Sequence, residues 1–192
     1  PPLPTGDVDR SGLSPDAIQG FAEIGAQAIA FGLTHVVHLS LLGFNAHNAG
    51  WGALGYGGDA HENLMHRSGL RNLGYDAAAA VEGILRFQSE VVLRMWRLLE
   101  AAPAPGGGSE ADRTVVLWLN SGGGKHHDGR HSHPAVLLGD AGGRLRAGRY
   151  VERGDRPPIN QLFLAVAQAA GAEVDVFGRP EDSDGPLPEL MP

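Results

Sequence analysis

The chain of 192 residues contains no cysteine. Disulfides, thiolate nucleophiles and zinc sites with cysteine ligands are therefore excluded. Basic residues are also few, since 15 Lys and Arg against 22 Asp and Glu give a net charge of −7. This acidic balance argues against a nucleic-acid partner, because binding to phosphates needs a basic surface. No apolar run is long enough to cross a bilayer, so we expect no membrane span.

Glycine is abundant, with 29 residues, and it gathers in two windows that also hold most of the histidines. The first window, 43–75, shows no sustained helical or strand periodicity, and the second covers 121–133. A loop as long as the first window inside a folded domain is usually functional. The chain also starts at Pro1 rather than at a methionine, so we expect a processed or trimmed product, in which a removed targeting segment would leave no trace.

The remaining segments predict alternating helices and strands. Ser14 and Pro15 are typical of a helix start, and Gly32 is typical of a helix stop after about Phe31. Asp76 is a plausible cap for the strongest helix, which runs to Ala101. The other predicted elements are buried strands at Thr34–Leu42, Thr114–Asn120 and Ala135–Gly139, a turn at Gly142-Gly143 and a helix over 158–170.

This order of elements predicts an α/β fold, with a largely parallel sheet flanked by helices. We expect a single α/β domain over residues 14–180, a flexible tail over 1–13 and a loose acidic, proline-rich tail over 181–192. In a parallel sheet, ligands bind where the strands reach their carboxyl ends. Both histidine-rich loops follow predicted strands, so we expect the two loops to meet in one composite site.

The chemistry of these loops points to a metal ion, because neutral imidazole is the commonest ligand for zinc and also suits copper, iron and nickel. We expect a divalent metal, zinc first, with copper, manganese, nickel and iron left open. His35 and His38 lie in a predicted strand and are interpreted as packing residues or as supports of the ligands. Ser121 ends a strand before a glycine run and is the candidate catalytic residue. The candidate metal ligands are Asp59, His61, His66, His127, Asp128, His131 and His133.

The segment from Ala22 to Gly148 resembles secreted bacterial families of unknown function that are named for an HxxSHH motif. Those families look related to the alkaline phosphatase and sulfatase superfamily. The most specific block is Pro134–Gly139, followed by Gly142-Gly143 and Gly148-Arg149. The other residues that carry the resemblance are Thr34–Val37, Thr114–Asn120, the long helix, Gly58-Asp59-Ala60-His61 and the two outer histidines of His61–His66.

The resemblance implies an alkaline-phosphatase-like C-terminal portion, a periplasmic or secreted location, and a metal-dependent hydrolase acting on a small anionic phosphate or sulfate ester. It also implies that an N-terminal region or a partner chain supplies the nucleophile. The sequence departs from the motif at Leu64 and Met65, which replace its serine and middle histidine, and Ser121 replaces a usual acidic residue. A non-catalytic metal- or partner-binding module, or a structural assembly subunit, is the alternative function.

Overall fold

The computed structural model describes residues 14–41, 76–119, 133–155 and 157–192 of the chain. The chain divides into two compact units, Pro1–Met95 and Trp96–Pro192. In the described ranges, no helix is long and apolar enough to cross a membrane. The helices and strands of these ranges are α1 (Pro15–Ala30), α2 (Ala77–Ala101), β1 (Val116–Leu119), β2 (Ala135–Leu138) and α3 (Asn160–Ala169), with short 3₁₀ helices at Glu110–Arg113, Pro180–Asp182 and Pro188–Leu190.

Helix α1 begins and ends where its sequence signals predict. The Ser14 hydroxyl oxygen accepts a hydrogen bond from the backbone N–H of Ala17 (3.2 Å), and Pro15 occupies the first helical position. At the other end Gly32 has a φ of +65°. The N–H of Leu33 then donates to the carbonyl of Ala28 (2.8 Å), which closes the helix in a Schellman motif.

Helix α2 also starts at its predicted cap, since Asp76 Oδ1 accepts a hydrogen bond from the N–H of Ala79 (2.9 Å). One face of α2 packs with α1 because apolar residues recur at helical spacing on both helices. The resulting core of the first unit consists of Ile18, Ala22, Ala80, Ile84, Phe87 and Val91.

The predicted strand over Thr34–Leu42 is wrong over its described residues, 34–41, which form neither helix nor strand. The Thr34 hydroxyl accepts from the N–H of Val36 and donates to the carbonyl of the same residue, a local pattern that competes with strand pairing. Leu39 and Leu41 pack against the core of the first unit, and Gln88 Nε2 donates to the carbonyl of Leu41 (2.8 Å). The apolar residues of this segment therefore contact helices rather than a neighbouring strand.

The predicted parallel sheet is also wrong. In the part of the chain that the structure describes, the sheet has two strands, β1 and β2, and they are antiparallel. Parallel strands need a crossover connection that is usually a helix, whereas consecutive antiparallel strands need only a loop. The described ranges are therefore mostly helical, with one antiparallel hairpin, and not a largely parallel sheet flanked by helices.

The core of the second unit is built from α3, the turn after β2 and the segment 187–191. Leu117 of β1 and Leu137 of β2 pack against this core. The predicted loose tail, 181–192, contains Leu190, which is only 6% exposed. The buried residues of this core are Ala141, Leu145, Leu162, Ala165, Ala169 and Leu190.

Candidate functional site

Most of the predicted site lies outside the described residues. Of the predicted ligands, His133 is the one that falls within the described ranges. The predicted catalytic residue, Ser121, lies outside them. The predicted ligands outside them are Asp59, His61, His66, His127, Asp128 and His131.

The connection between β1 and β2 is nevertheless anchored at both ends. The two strands pair from Val116 with Leu138 to Leu119 with Ala135. Leu119 and Ala135 are the last pair of this register, so residues 120–134 link two positions that lie side by side. The ladder and the packing of both strands on the core hold the ends of this connection together.

His133 lies at the β2 end of the same connection, two residues before the strand begins. Its side chain is half-buried, and its Nε2 atom is shielded from solvent. A neutral imidazole binds a metal ion through the ring nitrogen that does not carry the proton. His133 is therefore the described member of the predicted histidine set that stands next to the hairpin.

The other two described histidines, His35 and His38, have exposed side chains. Neither of them packs in the core of the first unit, whose members are helical apolar residues together with Leu39 and Leu41. The interpretation of His35 and His38 as packing residues is therefore wrong. Within the described ranges, no group of three or more histidine, aspartate or glutamate side chains is arranged to hold a metal ion.

The glycine-rich block after β2 forms a tight turn. Asp140 Oδ1 accepts hydrogen bonds from the N–H groups of Gly142 and Gly143, each at 3.0 Å. The turn needs left-handed backbone at Gly142 and Gly143, with φ of +73° and +80°, and also at Ala141, with φ of +52°. These two hydrogen bonds and the left-handed backbone account for the path of the chain through this block.

Charged side chains form one network in the second unit that the sequence did not indicate. Arg153 donates from Nε to Asp155 Oδ1 (2.8 Å) and from Nη1 to both carboxylate oxygens of Glu189 (2.8 and 2.9 Å). The hydrogen bond from Arg153 lowers the pKa of Asp155, and the same bond raises the pKa of Arg153. Arg149 Nη1 also donates to the carbonyl of Glu189 (3.4 Å). This network fastens the segment around Glu189 to residues 149–155.

The sequence does carry a signal that the segment around Glu189 packs on the core, because Leu187, Leu190 and Met191 are apolar residues at helix-like spacing within an acidic, proline-rich segment. It carries no such signal for the ion pairs with Arg153.

Comparison of the chain with protein-family models, with curated proteins and with solved structures finds no match. The resemblance to the HxxSHH families thus stays a prediction from the residues quoted for it.

Proposed function

We propose that this protein is a divalent-metal-binding, hydrolase-like domain, and that zinc is held by side chains of the connection between β1 and β2. One observation carries the proposal. The pairing of Leu119 with Ala135 fixes both ends of a connection whose sequence contains His126, His127, His131 and His133. With the ends fixed, part of the entropic cost of closing the loop is met by folding of the hairpin.

The donor set of this connection suits zinc. Zinc sites with three imidazoles, or with two imidazoles and one carboxylate, are common, and the connection offers four histidines and the carboxylate of Asp128. Copper, nickel, manganese or iron are alternative ions. Asp59, His61 and His66 are further candidate donors earlier in the sequence, and their contribution is tested separately below. Because metal binding requires neutral imidazoles, the affinity should fall as the histidines become protonated below about pH 6.

The proposal also extends to a class of substrate. Following the family resemblance, the substrate is a small anionic phosphate or sulfate ester, and the protein works in the periplasm or outside the cell. A bound metal ion would polarise the ester oxygen and lower the pKa of a bound water. Ser121 is the candidate nucleophile within the connection. The alternative is a non-catalytic module that binds metal or a partner through the same residues.

Metal binding is tested first, on protein purified without a metal-affinity tag. Zinc content is measured by elemental analysis, and zinc affinity by competition with a chromogenic chelator. His127→Ala and His131→Ala should each weaken zinc binding by about tenfold or more, since each removes a ligand. His35→Ala is the matched control, because it removes an exposed imidazole outside the connection and should leave the affinity unchanged. Unchanged zinc affinity in both loop variants would refute the proposal.

The same titration on His61→Ala shows whether the donors of the first unit contribute. Turnover is tested separately with aryl phosphate and aryl sulfate esters, with each metal added. We expect weak or absent turnover by this chain, because the motif serine is replaced by Leu64 and Ser121 has no base beside it in the sequence. Robust metal-dependent turnover that is abolished in Ser121→Ala, with metal binding retained, would contradict this expectation and assign the nucleophile to Ser121.

A further inference from the structure

Residues 36–41 have the pattern of a strand that packs on helices. The odd-numbered side chains, Val37, Leu39 and Leu41, are partly buried, and Leu39 and Leu41 pack against the core of the first unit. Most of the even-numbered side chains of this segment are exposed. A period of two is that of extended backbone. The segment is therefore extended, although among the described residues it pairs with no strand.

The two edges of this segment differ in how their backbone groups are used. In extended backbone, the N–H and C=O groups of consecutive residues point to opposite edges. Gln88 of α2 donates to the carbonyl of Leu41 (2.8 Å), so the edge of the odd-numbered residues faces α2. On the other edge, both backbone groups of Val36 are bound to the hydroxyl of Thr34. This even-numbered edge faces away from α2.

His38 and Ser40 complete the edge that faces away from α2. In the part of the chain that the structure describes, no hydrogen bond uses the backbone N–H or C=O group of either residue. Such an edge is a template for another extended chain, which can pair with each of these groups. We call the four backbone groups of His38 and Ser40 the open edge.

The side of α1 that borders the extended segment is apolar. Phe21, Ile24 and Phe31 recur on it at helical spacing and have exposed side chains. Gly25 lies beside them on α1, and Val37 packs on Gly25, which places the extended segment next to this side of the helix. The exposed residues of this region, which we call the apolar surface, are Phe21, Ile24, Phe31, Leu33 and Val36.

The apolar surface lies away from α2 and carries no charge. Glu23, whose carboxylate pairs with Arg94 of α2, is on another side of α1. Leu33 and Val36 extend the surface beyond the end of the helix and are 79% and 76% exposed. Residues 24–41 contain no Asp, Glu, Lys or Arg. The open edge therefore lacks the charged side chains with which proteins commonly keep another chain from pairing with a sheet edge.

A second copy of this chain fits the apolar surface better than an unrelated partner. An uncharged surface offers no ion pair to a charged partner, whereas a second copy brings an equally uncharged, apolar surface. Phe21 and Phe31 together expose the equivalent of about one phenylalanine side chain, roughly 150–250 Å² per copy. The three aliphatic side chains and the paired backbone bring two copies close to the roughly 1,000 Å² that a small specific interface buries.

We propose that the open edge and the apolar surface form a homodimer interface, in which two segments pair as antiparallel strands about a two-fold axis through Leu39. In this register His38 exchanges two backbone hydrogen bonds with Ser40 of the partner subunit, and Ser40 does the same with the partner's His38. Even-numbered residues lie opposite even-numbered ones, so the buried side chains of both copies stay on the side of the helices. The apolar sides of the two α1 helices pack on each other beneath the paired strands.

Sedimentation equilibrium of the full chain, with a chelator present, tests the dimer. The parent protein should change from monomer to dimer between about 1 μM and about 1 mM, the range of weak association. Phe31→Lys should weaken the dimer about tenfold or more, because it places a charge from each copy in the interface. Leu93→Lys is the matched control, because Leu93 is an exposed residue of α2 outside the apolar surface and should keep the Kd of the parent protein.

Ser40→Pro tests the backbone pairing, because it removes one N–H group of the open edge. It should also weaken the dimer about tenfold or more, since the two-fold axis makes the loss count twice. Ser40→Ala keeps the N–H group and should dimerise like the parent protein. Hydrogen exchange on the parent gives a second readout: the amides of His38 and Ser40 should slow as the protein concentration rises, and those of Val37 and Leu39 should not.

Two results of sedimentation would overturn the inference: a parent protein that stays monomeric up to about 1 mM, or a dimer that Phe31→Lys and Ser40→Pro both leave unchanged. Exchange at His38 and Ser40 that is slow at every concentration would show that one chain covers its own open edge, which also overturns the inference. Hydrogen exchange on the parent protein keeps the test valid if a variant does not fold, as circular dichroism shows.

Discussion

Among the described glycines, Gly139, directly after β2, is the position with least room for a side chain. Its φ is +85°, in the left-handed region that residues with a Cβ atom seldom adopt. A Cβ atom built there would overlap the carbonyl oxygen of Thr114 and lie 2.8 Å from Cη2 of Trp96. Because one of these neighbours is backbone next to β1 and the other is a large ring, neither can move without disturbing the second unit.

The cost of Gly139→Ala has two parts. The left-handed backbone conformation costs a residue with a Cβ atom about 1–2 kcal/mol. Overpacking against fixed atoms typically adds about 1–3 kcal/mol. We therefore expect Gly139→Ala to lower the free energy of unfolding by about 2–5 kcal/mol, a large fraction of the roughly 5–15 kcal/mol that stabilises an ordinary domain.

Gly143→Ala is the matched control, since Gly143 has a similar φ of +80° but nothing within 4 Å of an added Cβ atom. It should lose only the conformational part, about 1–2 kcal/mol. Urea unfolding followed by circular dichroism, with a chelator present, measures both variants. Equal losses in the two variants would show that the contacts of Gly139 with Thr114 and Trp96 do not limit the backbone there, and the steric argument would be refuted.

Three further perturbations test other parts of the molecule. In α1, Gly20→Ala should stabilise the protein by about 0.5–1 kcal/mol, because glycine disfavours the helical conformation. Gly25→Ala should not stabilise it, because the added Cβ atom would lie 2.8 Å from Val37 Cγ1, and thermal unfolding of the two variants tests this difference. The hydrogen bond from the backbone N–H of Ser109 lowers the pKa of Asp112 below its ordinary value of 3.8, so folding favours the carboxylate. The parent protein should therefore be more stable than Asp112→Asn above pH 3.8 and lose this advantage below it, as measured by urea unfolding at several pH values. Zinc at a hundredfold excess over Kd should add about 2.7 kcal/mol of stability near neutral pH, less below about pH 6, and a melting temperature unmoved by zinc or a chelator would contradict it.

Helix ends were predictable because their signals are local. Ser14 and Asp76 each place a side-chain oxygen within reach of an N–H group in the first turn, whatever lies around the helix. Gly32 likewise stops α1 through its own backbone conformation. The strands β1 and β2 were also predicted, because their β-branched and apolar residues favour extended backbone over a short run.

The partners of extended segments could not be predicted in the same way. A short apolar run is compatible with a strand in a parallel sheet, a strand in a hairpin, or an extended segment that packs against helices. Residues 34–41 take the last of these, through contacts of Leu39, Leu41 and Gln88 that join positions far apart in sequence. The fastening of Glu189 by Arg153 is equally non-local, so the composition of 181–192 alone predicted a loose tail.

The antiparallel pairing of β1 with β2 changes the expectation for the candidate site. The expectation that both histidine-rich loops meet depended on two parallel strands that end at one edge of a sheet, and 34–41 is not such a strand. The pairing of Leu119 with Ala135 bears on the second loop alone, because it brings together the two ends of that one connection. His127 and His131 are then the positions that test the proposed metal site, and whether His61 contributes to metal binding is tested separately. A zinc affinity that falls in His127→Ala and His131→Ala but holds in His61→Ala would assign the metal to the hairpin connection alone.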